Sequence, residues 1–346
     1  MLTIRSPFGV ALVALLSLLT GEVAAAPQNR GGRKGSGAKL TLQQQAAQIP
    51  QGVSQATDGS TILDTNATVN NLNLRFRISA PADQFTTASG IEGATQAPGA
   101  AGAMGINVLL HGDGGTSFFD FPNQAVQGGL MGVAVLAPSE SLLWGVTSGG
   151  PTGLDRPDGV AHMQALNDLV QTVIPQMVAF NSSNVLGFKF FTGVSGGSLT
   201  LSGFFVPAHM TNFAGTGVML MCGALPPQVD FVDANKVVST TKIHYQSSQN
   251  DQPELQQSIP QSISAFQQVA QTAGLDATQI GALQTADNSP VGGHCEFDGK
   301  DFVSGVQLIS DNFANIMQGG NGAVTGIPTD TVLKSVVGET LVFASA

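Results

Sequence analysis

Residues 185–200 read VLGFKFFTGVSGGSLT. An apolar, β-rich run at 185–192 meets a Gly-Val-Ser-Gly-Gly turn, and small, helix-permissive residues follow. Strand, sharp turn carrying a serine, then helix is the layout of a nucleophile elbow. The serine of such a turn is strained, and the residues two before and two after it lie close together. Gly193 and Gly197 remove the Cβ atoms that would clash there. The turn lifts the Ser195 hydroxyl above the sheet edge and leaves the Gly196 N–H at a helix start, facing any developing oxyanion. In a chain with 43 glycines this pattern arises by chance about 0.4 times, so its surroundings decide its meaning.

Upstream, Gly105–Leu110 (GINVLL) is a continuous apolar run, as expected of a central parallel strand. It ends in His111-Gly-Asp-Gly-Gly, a glycine-rich turn where an oxyanion-hole loop belongs, with backbone N–H groups near Asp113 and Gly114 as donors. The alternation of NLNLRFRI at 71–78 predicts a half-buried strand near a sheet edge, and 81–103 reads as loop. Further strands are expected at 131–137, 215–222 and 238–247, with a short last one at 280–283. Helices are expected at 158–179, 253–273 and 301–317. In the loop 138–157, Trp144 is a candidate substrate platform or a loop anchor. Strands and helices alternating over about 250 residues predict an α/β fold, a mostly parallel sheet with helices on both faces.

A serine hydroxyl is a poor nucleophile without a base, and the base needs an acid to orient it. Of five histidines, His111 lies in the glycine-rich turn, His162 and His209 lie in or beside helices, and His244 lies inside a strand. His294, in the loop GGHCEFDG, alone follows a plausible acid and is the candidate base. Asp251, just past the strand expected at 238–247, is the candidate acid, with Glu254 in reserve; its structural alternative is a helix cap before Pro253. No histidines or carboxylates have metal-ligand spacing, and no phosphate loop or dinucleotide fingerprint precedes a helix, so no metal or cofactor is expected.

The N-terminus reads as a secretory signal over 1–25: Arg5, an apolar run at 10–19 too short to span a bilayer, then small residues. Residues 26–60 read as a flexible Gly/Gln-rich leader, with the folded domain at 61–346. Beyond residue 40, eight basic residues face 22 acidic ones, which argues against nucleic acid or anionic membranes as partners. The two cysteines, Cys222 and Cys295, suggest one disulfide in an oxidising compartment; buried free thiols are the alternative. A bridge would pin the histidine loop to the sheet. Sequons at Asn66 and Asn181 fit a glycosylated, extracellular chain.

With LLHGDGG, Trp144 and a loop into PDGVAHM, GVSGGS, Asp251 and His294 in place, the chain resembles α/β-hydrolase-fold secreted serine esterases. It is most similar to the group of polyhydroxybutyrate depolymerases and feruloyl or acetylxylan esterases. The resemblance covers about residues 105–300. It implies Ser195 as nucleophile, His294 as base, Asp251 as orienting acid, and Gly196 with the 113–114 backbone as oxyanion donors. The expected activity is hydrolysis of a small or polymeric carboxylic ester through an acyl-enzyme. Two other readings stand beside it: an amide or peptide hydrolase on the same fold, and a non-catalytic secreted binding or surface protein on a hydrolase scaffold.

Overall fold

The structure is a computed structural model that describes residues 51–115, 129–147, 153–183, 185–320, 322–326, 334–338, 341 and 343. The expected signal peptide and the leader up to residue 50 lie outside the described residues. Ten described strands form one sheet: β1 Gly52–Gln55, β2 Thr61–Val69, β3 Leu72–Ala80, β4 Gly105–Leu110, β5 Leu130–Val135, β6 Lys189–Val194, β7 Gly217–Met221, β8 Lys242–Gln246, β9 Gln284–Asp287 and β10 Lys334–Ser335. Their order is β1-β2-β3-β5-β4-β6-β7-β8-β9-β10. From β5 through β9 every neighbour is parallel, and within β2 to β9 only β3 is reversed. This is the α/β-hydrolase fold.

Six of the described helices position the rest. Helix α1 starts as Gly159–Asp168 and runs on through a π-helical turn, Leu169–Val173, into Ile174–Met177. Helix α2, Gly196–Thr200, does the same through Leu201–Phe205 into Val206–His209. Both wide turns precede a proline, Pro175 and Pro207, which has no N–H to give the carbonyl four residues back. In α2 the carbonyl so released, that of Gly203, accepts the Gln228 N–H at 2.7 Å. The others are α3 Ala234–Thr240, α4 Pro253–Thr272, α5 Ala277–Leu283 and α6 Phe302–Asp311.

The strands are apolar on both sides because helices cover both faces. One face buries Val108, Phe191, Val218 and Tyr245 against Leu166 of α1, Leu199 of α2 and Phe266 of α4. The other buries Leu109, Phe190, Met219 and Met221 against Val306 and Ile309 of α6. Parallel strands with one direction bring their C-terminal ends to one rim, and the loops that follow β4, β6, β8 and β9 meet there.

Several boundaries differ from the sequence reading. The sheet begins inside the stretch read as leader, since β1 pairs with β2 from Gly52 to Gln55. The elbow strand starts at Lys189, not 185; Val185 and Leu186 are exposed. Val238 sits in α3, started by Asp233, whose carboxylate caps the Lys236 N–H. The expected strand at 280–283 is the end of helix α5. A reciprocal cap between Asp276 and Gln279 starts that helix, and β9 follows it.

Candidate active site

Strand β6 delivers Ser195 into the tight turn before α2. The serine has φ 49° and ψ −115°, a strained backbone for a residue with a side chain. The glycines make the turn possible. A Cβ on Gly193 would lie 2.5 Å from the Ser198 nitrogen, and one on Gly197 would lie 2.5 Å from the Leu110 carbonyl oxygen. The elbow is tied to the next strand as well: Ser195 N–H and the Ser198 hydroxyl both donate to the Met221 carbonyl, at 2.8 and 3.0 Å.

The loop after β9 brings His294 to this hydroxyl. His294 Nε2 lies 2.8 Å from Ser195 Oγ, and His294 Nδ1 lies 2.6 Å from Asp251 Oδ1. Asp251 comes from the loop after β8, where its carboxylate is buried and also accepts the Gln252 N–H at 2.8 Å. It is thus held by the neighbouring backbone as well as by His294, and it does not cap α4. Residues 195, 251 and 294, far apart in the chain, form one hydrogen-bonded line. The Asp251 and His294 loops hold each other through backbone bonds, Gln249 N–H to Pro290 O at 2.9 Å and Asn250 N–H to Gly292 O at 3.0 Å, and through the Ser248 hydroxyl on the Gly293 carbonyl. Cys222, at the end of β7, and Cys295, beside His294, are joined in a disulfide.

Beside the serine, the turn 112–115 follows β4. The Gly114 N–H, expected to face substrate, instead donates to the Leu142 carbonyl at 2.9 Å, because the loop after β5 folds against this turn. Among the described residues the N–H groups of Asp113 and Gly196 have no protein acceptor. They are the two donors beside Ser195 without a partner among the described residues. Of the two sequence readings of Trp144, the structure favours the loop anchor over the substrate platform. It is fully buried, with its indole between the imidazoles of His111 and His162, at centroid distances of 5.5 and 6.3 Å. It anchors the loop and offers no platform to a substrate.

Those two imidazoles are structural. Burial lowers His111 to about 4, despite the Gly112 carbonyl and the Asp113 carboxylate, and lowers His162 to about 4 despite Asp158. Each is neutral at pH 7 and accepts a backbone N–H, that of Ala137 at His111 Nε2 and that of Gly145 at His162 Nδ1, both at 2.9 Å.

A cavity of about 450 Å³ opens over Ser195 and His294. Leu199, Leu255 and Phe302 form its apolar wall; Asp113, Arg156 and Glu254 form its polar wall. Arg156 was not singled out from the sequence. The signal was there, since it is the last arginine of the chain, 79 positions after Arg77. Among the described residues no cluster of three or more His, Cys, Asp or Glu side chains fits a metal ion. No described helix is long and apolar enough to cross a membrane.

No family model matches the chain, and no curated relative does. Solved structures similar to it include a feruloyl esterase module from Clostridium thermocellum, at 13% identity and TM-score 0.44, covering 84% of this chain and 94% of that one. A thermostable esterase from Pseudomonas putida is similar at 12% identity and TM-score 0.43, covering 80% and 90%. Vibralactone cyclase is similar at 10% identity and TM-score 0.46, covering 81% and 86%.

Proposed function

We propose that this chain is a secreted serine hydrolase that cleaves carboxylic esters through an acyl-enzyme. The observation that carries the reading is the continuous line from Asp251 through His294 to the Ser195 hydroxyl, with bonds of 2.6 and 2.8 Å, opening on a cavity. In this mechanism Ser195 Oγ attacks the ester carbonyl carbon as His294 Nε2 takes its proton. Asp251 holds the ring in the tautomer with hydrogen on Nδ1 and stabilises the imidazolium. The oxyanion is met by the N–H groups of Gly196 and Asp113. Collapse breaks the bond to the alcohol oxygen, which leaves with the proton from Nε2. Water, deprotonated by the same nitrogen, then attacks the acyl-serine, and the carboxylic acid departs.

Secretion and glycosylation belong to the same reading. Secretion rests on the signal-like run at 10–19 and on the disulfide. Asn66 is exposed on β2. Asn181 lies before β6, at the end of the sheet away from Ser195, so a glycan on Asn181 leaves the cavity open.

Ser195→Ala tests the chemistry. The wild type should hydrolyse p-nitrophenyl acetate and take a fluorophosphonate label, and the variant should do neither while remaining folded. Labelling that persists in the variant removes Ser195 from the mechanism. A folded wild type that takes no label is a binding protein on a hydrolase scaffold. A matched ester and anilide pair separates esterase from amidase.

A further inference from the structure

The cavity wall beside the serine carries a carboxylate in an awkward position. A Cβ on Gly196 would lie 1.9 Å from Asp113 Oδ1, so the carboxylate packs directly on the Gly196 backbone. The Gly196 N–H and the Asp113 N–H are the two unclaimed donors beside Ser195. A negative charge at that distance opposes the negative charge that develops on a substrate oxygen held there. One cation faces it. Arg156 Nη1 donates to Asp113 Oδ1 at 2.9 Å and Nη2 donates to Oδ2 at 2.7 Å. The guanidinium is almost wholly buried, at 1% side-chain exposure. Its remaining Nη hydrogens go to the Trp144 and Gly153 carbonyls, at 3.0 and 2.8 Å. Four bonds, two to the turn after β4 and two within the loop after β5 that carries Arg156 itself, hold the fork in one orientation.

We propose that Arg156 is a positioning residue for the oxyanion hole, acting through Asp113. It cancels the carboxylate's charge next to the developing oxyanion and fixes the turn that presents the Asp113 N–H. The inference rests on the esterase reading above. It assigns Arg156 no contact with substrate. Gly196 is glycine for the same reason: a side chain there would displace the carboxylate from its clamp.

The test is a charge cycle on ester hydrolysis. Arg156→Met leaves Asp113 charged and uncompensated, so kcat should fall about 100-fold, the size of losing one oxyanion donor, with KM within about threefold. Asp113→Asn in the same chain removes the stranded charge and should restore kcat to within about tenfold of wild type. A buried charge without its partner also costs stability. Arg156→Lys, which keeps the charge but not the fork, therefore serves as the better-folded third variant and should fall between. A double variant no more active than Arg156→Met, or a folded Arg156→Met with unchanged kcat, overturns the proposal and leaves the esterase reading intact. A wild type that neither hydrolyses esters nor takes a fluorophosphonate overturns both.

Discussion

At the scale of single residues, the backbone demands of the elbow were readable because glycine's missing Cβ is a local property. Gly193 and Gly197 sit where any side chain would meet backbone atoms at 2.5 Å. The order Ser195, Asp251, His294 was readable as chemistry. Its realisation needed two loops to close, as the bonds of 2.8 and 2.6 Å at His294 record. Asp251→Asn is expected to lower kcat about 10⁴-fold with KM little changed, because an amide can donate to His294 Nδ1 and favour the wrong tautomer. Steady-state kinetics check it, and a loss under tenfold would mean that Asp251 serves only to brace its own loop. Trp144 was legible as important but not as buried. A lone tryptophan in a loop reads the same whether it faces solvent or two imidazoles.

At the scale of elements, the misreadings fall where short apolar runs fit either period. Residues 280–283 are apolar enough for a strand, yet the Asp276–Gln279 cap upstream makes them the end of a helix. The His294 loop is the element on which the site depends most. Backbone bonds tie it to the Asp251 loop, and the Cys222–Cys295 bridge ties it to the end of β7, whose Met221 carbonyl also holds the elbow. If His294 is the base, as proposed, replacing both cysteines by serine should lower kcat, since His294 loses its tether. It should also lower stability by about 4 kcal/mol, the chain-entropy value for cysteines 73 positions apart. Denaturant midpoints and kcat on the same preparation test this. If neither changes, the bridge plays no part in placing the base.

At the scale of the whole molecule, four buried histidines couple the fold to pH, and burial lowers His209 as well as the three below. His111, His162 and His244 are each lowered to about 4, with burial as the largest cause. Above pH 6.5 they are neutral in both the folded and unfolded chain and add no pH dependence. Between 6.5 and 4 the unfolded chain binds protons that the folded chain refuses, so stability falls as pH falls. At 1.36 kcal/mol per unit each costs up to about 3 kcal/mol by pH 4. The melting temperature should therefore decline steadily from pH 6.5 downward in calorimetry, and a profile flat to pH 4.5 would contradict it. A His244→Gln variant should show a shallower decline. The parallel sheet, the strand carrying the serine and the glycine turns were determined by the sequence alone, because apolar runs and missing Cβ atoms act within a few residues of themselves. Tertiary structure alone decided that the Leu142 carbonyl claims the Gly114 N–H, that Trp144 is buried, and that Arg156 reaches Asp113 across 43 positions. Each of these is a contact between loops far apart in the chain, and it exists only once the sheet has brought their ends to one rim.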